Sequence, residues 1–373
     1  MVDLSDYKGR AQPNVSQGAA RSHINKADGR PPLWFYNHSE LLKPFATATF
    51  AGNMPEKQMP VLQVNGRHHV IVLHLFAGRR RPLDIHYWLH QLLQKEAPHI
   101  QLCLLSADTA IHEDFNLAQG RYLEGLKRLC EKGWVGAALT GPPCETFSAA
   151  RHQPPPSDAK RPWKWPRPLR SKENLWGIAG LRPRELRQLA MGSQLLLTSA
   201  LLETKVARHG GATLMEHPDE WHPASPPNAP SWSAPALQRY HPQMRGYDPI
   251  SIEQWQWGAK GVKPTRLRAM GFTKMRQALE SCKTGDAKRP RQGLVGLATT
   301  GTWRTSAAKE YPPDLCKGIA SGVVAQIMER LSNREALPVT VEPNDELFRW
   351  AMTQAKKAEE SATRSSWLPD FQG

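Results

Sequence analysis

The strongest constraint on the fold is an alternation of short apolar runs and amphipathic segments between residues 70 and 139. Val70 to Phe76 is a β-branched and aliphatic run that stops before Gly78, and similar runs span 100–105 and 135–139. Such continuous apolar runs are typical of parallel strands that are buried on both faces. The stretches between them carry apolar residues at helical spacing. This order of strands and helices predicts an α/β fold with a doubly wound, Rossmann-like sheet.

Further elements follow along the chain. A long amphipathic stretch at 183–208 predicts a helix, 213–216 predicts a strand, and Pro312-Pro313-Asp314 marks the start of a last core helix. The first 65 residues are polar and punctuated by Gly and Pro, without a sustained apolar period. We therefore divide the chain into three segments. Residues 1–65 form a partly disordered extension, and residues 66–332 form a catalytic domain with inserts at 145–183 and 219–250. Residues 333–373 form a tail with one further helix that starts near Asn344.

The charge balance and the cysteines restrict the class of protein. The chain has 49 lysines and arginines against 34 acidic residues, a net charge of +15, which favours a polyanionic partner such as nucleic acid. It has no apolar run near eighteen residues and no apolar N-terminal segment, so we expect neither a membrane span nor a secretory signal. The five cysteines are scattered and form no CxxC pair, which favours an intracellular, reducing compartment. His68, His69 and His217 show no metal-ligand spacing with cysteine or acidic residues, so we expect no metal.

Three strand ends carry residues that could perform chemistry. The first strand runs into Phe76-Ala77-Gly78, the second into Asp108, and the third into Pro142-Pro143-Cys144. Ligands of open α/β sheets bind at the carboxyl ends of the strands, so these residues are candidates for one site. Each also has an ordinary explanation, since loops need glycine, aspartate caps helices, and a lone cysteine is commonly a small buried hydrophobe. Their order and regular spacing favour the site.

Several motifs, taken in order, resemble those of the C5-cytosine-specific DNA methyltransferase family. Those motifs are Leu75-Phe76-Ala77-Gly78, Gly141-Pro142-Pro143-Cys144 and Met215-Glu216-His217-Pro218. Lys263-Pro264-Thr265-Arg266-Leu267-Arg268 is similar to the Gln-x-Arg-x-Arg motif of that family, and the segment from Tyr311 to Cys316 loosely fills the place of its last motif. The resemblance covers roughly residues 70–330.

The resemblance implies a Rossmann-like S-adenosylmethionine-dependent methyltransferase fold with Pro/Arg-rich insertions, acting on C5 of cytosine in DNA. It implies that Cys144 adds to C6 of the base, that Glu216 hydrogen-bonds N3, and that Arg266 or Arg268 holds the base carbonyl and stabilises the thiolate. The target base must leave the duplex to be reached. A monomer is expected, in the nucleus if the cell is eukaryotic. The residues implied for the S-adenosylmethionine site are Phe76, Ala77, Gly78, Asp108, Asp114 and Pro142.

The chain also departs from the family pattern. Arg80 replaces a glycine, Glu145 replaces the glutamine after the cysteine, His217 replaces an asparagine, and Pro264 replaces the glutamine of the arginine motif. A carboxylate beside a thiol raises the pKa of that thiol and weakens it as a nucleophile. Two alternatives therefore remain: a catalytically inactive nucleic-acid-binding protein, and a methyltransferase that acts on RNA.

Basic residues concentrate after the candidate cysteine. Residues 151–172 contain seven lysines or arginines, one acid, and the interleaved Trp163 and Trp165. Cations with aromatic rings suit phosphate neutralisation and base stacking, whereas the alternative is a solvated insertion whose tryptophans pack on the core. With a second basic region that begins near residue 260, this segment supplies the candidate nucleic-acid contacts Arg151, Lys164, Arg167, Arg170 and Lys263.

Overall fold

The computed structural model describes residues 58–152, 166–219, 247–285, 290, 309–333 and 336–364. Within these ranges the protein has eight strands and six α-helices. The strands are β1 Met59–Val64, β2 Arg67–Leu75, β3 Ile100–Ala107, β4 Val135–Thr140, β5 Ala212–Pro218, β6 Asp248–Glu253, β7 Pro264–Met270 and β8 Ala336–Thr340. The helices are α1 Ile85–Glu96, α2 Arg121–Glu131, α3 Pro183–Arg208, α4 Met275–Ser281, α5 Pro313–Ser332 and α6 Glu346–Arg364.

The strands form one mixed sheet. β3, β2, β4 and β5 are adjacent and parallel, and β7 then runs antiparallel to both β5 and β6. β1 forms an antiparallel hairpin with the start of β2 and pairs in parallel with β8. The predicted α/β class is confirmed, and the sheet is compatible with a Rossmann-like fold. Its four parallel strands bring their carboxyl ends to one edge, where the candidate residues lie.

Helices cover both faces of the sheet. α2, α3 and α6 pack on one face, and α1, α4 and α5 pack on the other. Strand β2 shows why, because Ile71 and Leu73 face the first group of helices while Val70 and Val72 face the second. Both sets are fully buried, which is the pattern that its continuous apolar sequence predicts. None of the helices in the described ranges is long and apolar enough to cross a membrane.

The sheet extends beyond the predicted catalytic domain at both ends. β1 lies within the segment assigned to the extension 1–65, yet Met59 and Leu62 belong to the core. Asn65 and Gly66 have φ values of 48° and 74°, which suit the tight turn of a hairpin. The segment assigned to the tail contributes β8 and α6 to the same fold. The boundaries at residues 65 and 333 are therefore corrected.

The two inserts are only partly described. Residues 153–165 of the first and 220–246 of the second lie outside the described ranges. From residue 166 onward the first insert packs closely, since Leu169 and Arg170 are buried at its centre. The predicted helix at 183–208 is present as α3, and strand β6 occupies the end of the second insert. Both inserts thus contribute buried structure.

Candidate active site

The loop after β2 is held in place by Asp108, which follows β3. The Gly78 amide donates to Oδ2 of Asp108 at 3.1 Å, and the Ala110 amide donates to Oδ1 at 2.8 Å. Phe76 and Gly78 both have positive φ values, 61° and 69°, so the chain turns sharply here. Such a backbone is strained for phenylalanine and easy for glycine. The carboxylate therefore orders a turn at the carboxyl edge of the sheet.

A cavity opens beside this turn. Aromatic and apolar side chains form most of its wall, and the carboxylate of Asp108 is on its lining. An apolar wall beside an aspartate is the kind of lining that could hold an aromatic ring joined to a sugar, such as the adenosine part of S-adenosylmethionine. The lining residues are Phe76, Asp108, Thr109, Phe115, Leu117, Pro143, Glu145, Thr146, Gln188, Met191, Gly192 and Leu195.

The residues predicted for the cofactor fall into two groups. Phe76 and Asp108 line the cavity, and Ala77 and Gly78 belong to the turn that Asp108 holds. Asp114 is exposed instead and pairs with Lys357 at 3.3 Å, and Pro142 is buried while its neighbour Pro143 lines the cavity. The cavity wall therefore does not include Asp114 or Pro142.

Cys144 follows β4 and is half-buried beside the cavity residues Pro143 and Glu145. Burial raises the pKa of its thiol, the cation of Lys263 lowers it, and the carboxylates of Glu216 and Glu145 raise it further. Lys309 offsets part of this effect, because its ammonium group lies 2.5 Å from Oε1 of Glu145. The net pKa of the thiol is raised, and the cations that lower it are lysines.

Glu216 at the end of β5 is held between two partners. The Nζ atom of Lys263 lies 3.2 Å from its Oε1 atom, and the two side chains are only 13% and 8% exposed. The hydroxyl of Tyr311 hydrogen-bonds the same carboxylate. Burial and the charge of Glu216 raise the pKa of Tyr311 well above its usual range, so the hydroxyl stays protonated and donates a hydrogen bond to the carboxylate. The carboxylate is thus fixed in position and paired with a cation.

Gly141 allows this close arrangement. A Cβ atom at residue 141 would lie 2.8 Å from the hydroxyl oxygen of Tyr311 and 3.8 Å from Oε2 of Glu216. The first distance is shorter than real Cβ contacts, so any other residue would displace the tyrosine. The Gly-Pro-Pro-Cys turn therefore leaves the space that the tyrosine and the glutamate occupy.

Lys263 keeps its charge in this buried setting. Burial lowers the pKa of its ammonium group, but Glu216 and Cys144 together outweigh burial, and the net pKa is raised. The side chain is therefore an ammonium ion near neutral pH. The sequence predicted Lys263 as a nucleic-acid contact, and the structure instead places it between the carboxylate and the thiol.

The two predicted catalytic arginines point away from Glu216. In the β5–β7 pair Glu216 lies opposite Leu267, and His217 lies opposite Arg266. Because side chains alternate between the faces of a sheet, Arg266 and Arg268 share the face opposite to Glu216. The Nε atom of Arg266 lies 3.2 Å from Oδ1 of Asp219, and the Arg268 guanidinium lies over Tyr247. The prediction that an arginine stands beside the thiol is corrected to Lys263.

The arginine run after Gly78 is anchored to the protein. Arg80 donates to Asp84 at 2.8 Å, and Arg81 hydrogen-bonds the backbone carbonyl of Tyr311. Only Arg79 of the three is exposed. The contact of Arg81 links the turn after β2 to the segment that carries Tyr311.

The candidate phosphate contacts differ in exposure. Arg170 is fully buried, where it hydrogen-bonds Thr146 and Ser193 and stacks on Phe147, so its assignment to nucleic acid is corrected to a structural role. Arg151 is half-buried and donates to the carbonyl of Glu145 at 2.6 Å. Arg167, which is 41% exposed, is paired with Glu185 at 2.6 Å, and Lys164 lies outside the described ranges.

Sequence reasoning missed Tyr311 and the role of Lys263. A signal for Lys263 was available. Leu267 lies opposite Glu216, and every second residue of a strand shares one face, so the residues on the face of Glu216 are Leu267, Thr265 and Lys263 and not the arginines. Tyr311 contacts Glu216 from more than ninety residues along the chain, and no periodic pattern connects the two. No protein-family model matches this chain, and no curated protein matches its sequence.

Proposed function

We propose that this protein transfers a methyl group from S-adenosylmethionine to C5 of cytosine in DNA, through a covalent bond between Cys144 and C6 of the base. The observation that carries the proposal is the convergence of a thiol, an ammonium group and a fixed carboxylate beside a cavity that fits adenosine. All lie at the carboxyl edge of a Rossmann-like sheet, where such folds bind ligands. The methyltransferase type of this fold is part of the proposal.

Cys144 acts first as the nucleophile. The thiol gives up its proton, and the thiolate, stabilised by the Lys263 ammonium, forms a bond to C6. N3 of the base takes up a proton in the same step, which balances the proton that the sulfur loses. The electrons of the C5–C6 double bond move toward C5, which becomes nucleophilic. After C5 has taken up the methyl group, solvent water accepts the C5 proton and N3 gives up the proton that it gained. The double bond then forms again and the sulfur leaves C6. The cysteine is then returned unchanged.

Glu216 recognises the base and stabilises its activated form. Its carboxylate accepts hydrogen bonds from the amino group and the protonated N3 of cytosine, so it favours the charge distribution that addition at C6 requires. Tyr311 and Lys263 hold this carboxylate in one orientation. A fixed carboxylate lowers the barrier because little reorganisation is needed during the reaction.

The cavity positions the methyl donor. Asp108, Phe76 and Phe115 line the cavity; Asp108 would accept hydrogen bonds from the ribose hydroxyl groups, and the two phenylalanines would hold the adenine ring. S-adenosylmethionine supplies an electrophilic methyl group at its sulfonium. Pro143 and Glu145, the two sequence neighbours of Cys144, line this cavity, so the proposed cofactor site adjoins the proposed nucleophile.

The nucleic acid is proposed from charge and chemistry. A base inside a duplex cannot reach a half-buried thiol, so the cytosine must turn out of the helix. The basic stretch after Cys144, with Lys164 and the exposed Arg167, supplies phosphate contacts. DNA is the substrate that the motif resemblance favours, and RNA is the alternative. Residence in the nucleus of a eukaryotic cell follows if the substrate is nuclear DNA.

One observation favours a catalytically silent nucleic-acid-binding protein as a second candidate. Burial and two carboxylates raise the pKa of Cys144, so the thiolate fraction at neutral pH is small without substrate. In this second reading the basic segments hold nucleic acid, and the buried thiol is inert. Lys263 and Lys309 oppose this reading because both lower the pKa of the thiol.

The decisive experiment measures transfer of labelled methyl groups to DNA and to RNA by the full chain and by C144S. The C282S variant is the control, since Cys282 is another half-buried thiol at the end of α4. We expect label on DNA with the native chain and with C282S, and none with C144S. Label on RNA alone would replace DNA by RNA as the substrate.

A trapping experiment separates the mechanism from the binding alternative. DNA containing 5-fluorocytosine should form a lasting adduct with the native chain and S-adenosylmethionine, because fluorine cannot leave C5 as a cation. The adduct should be absent with C144S. Nucleic-acid binding without any methyl transfer, adduct or binding of S-adenosylmethionine in calorimetry would establish the silent protein instead.

A further inference from the structure

Three potential metal ligands meet outside the candidate active site. His86 and His90 are one turn apart on α1, and their rings stack with centroids 4.8 Å apart. Glu359 of α6 approaches them from a second element, with Oε1 3.5 Å from Nε2 of His90. One ligand atom from each residue lies within 4.8 Å of the other two. The cluster therefore has three ligands from two helices.

The surroundings prepare the imidazoles for coordination. Nδ1 of His86 is 2.9 Å from the hydroxyl of Ser106, so this contact fixes the ring and leaves Nε2 for another partner. Nε2 of His90 is buried, and no hydrogen bond reaches it from any described residue. Burial lowers the pKa of both histidines, while the carboxylate of Glu359 raises that of His90.

We propose that His86, His90 and Glu359 form a binding site for a divalent transition metal ion, for which zinc is the best match. Two imidazole nitrogens and a carboxylate are ligands that zinc prefers, with bonds of about 2.0–2.2 Å. Tetrahedral ligands on such bonds stand about 3.3 Å apart, and the three ligand atoms lie within 4.8 Å of one another, so side-chain rotations that shorten these distances by up to about 1.5 Å close the set. A water molecule completes the fourth position.

The charge around the cluster permits a cation. Arg80 is the nearby positive group, but its guanidinium is paired with Asp84 at 2.8 Å, which offsets its charge. The same guanidinium donates to the carbonyl of Ala358, next to Glu359. The ion would therefore strengthen an existing connection between α6 and the start of α1, a structural role that is independent of methyl transfer.

The test measures zinc binding to the full chain by calorimetry, and cobalt binding by its visible absorption. We expect one zinc ion whose affinity falls at least about 100-fold in H90A and in E359Q. H99A is the control, because His99 is exposed in the connection between α1 and β3. The zinc affinity of H99A should match that of the native chain. Cobalt should show weak ligand-field bands without the intense charge-transfer bands of a thiolate ligand.

Stability provides a second readout that does not depend on activity. Zinc should raise the unfolding temperature of the native chain and of H99A, and leave that of H90A and E359Q unchanged. Glu359 is 51% exposed in its side chain and His90 35%, so neither variant should unfold the protein. Equal zinc affinity in all four proteins, or thiolate bands with cobalt, would overturn the proposed site.

Discussion

Lys263 and Glu216 form a buried ion pair in which Nζ lies 3.2 Å from Oε1, on the side of β7 opposite to Arg266 and Arg268. The same ammonium group lowers the pKa of the Cys144 thiol. One cation therefore serves two acidic groups, the carboxylate proposed to bind the base and the thiol proposed to attack it. Because both side chains are largely buried, water screens this interaction poorly.

Replacing Lys263 should make the thiol of Cys144 less reactive. In K263M the thiolate loses its main cation while Glu216 still repels it, so the pKa of Cys144 rises further. We expect alkylation of Cys144 by iodoacetamide at pH 7 to slow about tenfold. R266M is the matched control and should leave the rate unchanged. Equal slowing in K263M and R266M would show that Arg266 also stabilises the thiolate, as the sequence predicts.

Removing the hydroxyl of Tyr311 should impair the proposed methyl transfer with little effect on folding. Y311F loses the hydrogen bond that orients Glu216, and bonds to charged groups contribute about 1.5–3 kcal/mol, so the rate should fall about 10- to 100-fold. Y122F is the control, because the hydroxyl of Tyr122 is buried and no described residue hydrogen-bonds it. A full rate in Y311F would remove the tyrosine from the site.

Arg170 should matter for stability and not for binding nucleic acid. Its loss in R170M leaves buried acceptors on Thr146, Leu189 and Ser193 without a donor, which we expect to cost about 3 kcal/mol of unfolding free energy. R187M changes an exposed arginine on α3 and should stay within about 0.5 kcal/mol. Denaturant titrations measure both. An unchanged midpoint for R170M, with a smaller salt dependence of DNA binding, would contradict this assignment.

His217 should make the fold sensitive to acid. Burial, with Lys263, Arg170 and Arg268 nearby, lowers its pKa to about 3, whereas the unfolded chain has a histidine pKa near 6.5. As the pH falls below 6.5, His217 becomes protonated in the unfolded state, whereas in the folded state it stays neutral until about pH 3. The unfolding free energy should therefore fall by about 1.6 kcal/mol for this residue between pH 6.5 and 5.

The H217N variant tests this pH dependence. It should remove that part of the slope when unfolding is measured at several pH values, whereas H99A, which changes an exposed histidine, should keep the native slope. An equal slope in H217N and the native chain would assign the acid sensitivity to other buried groups.

Much of the fold could be predicted because its pattern is local. The continuous apolar run of β2 is buried on both faces, as its composition predicts, and α3 lies over the predicted interval. β1 was missed although Asn65-Gly66 is a strong hairpin signal, and the predicted boundary falls within that turn. The strand itself, MPVLQV, is short and contains a proline, so composition alone favoured a polar extension.

The candidate site was harder to predict, because its contacts join distant segments. Asp108 and Gly78 could be paired from strand order, since β2 and β3 are adjacent and parallel. The choice between Lys263 and the arginines depended on the register of β7 against β5, because a shift by one residue moves every side chain to the other face of the sheet. The cluster of His86, His90 and Glu359 was not predicted from the sequence, because Glu359 lies on α6, about 270 residues after the two histidines. Sequence spacing cannot reveal such a contact.

The pairing of β1 with β8 has a consequence for how the chain is made. The two strands are about 280 residues apart in sequence, yet they are hydrogen-bonded neighbours over five residue pairs. On the ribosome β1 can close its hairpin with β2 soon after both have emerged, but its other edge stays unpaired until the roughly 280 residues that lead to β8 have been translated. During that interval the nascent sheet presents an unpaired strand, so we expect newly made chains to need protection from aggregation until β8 arrives.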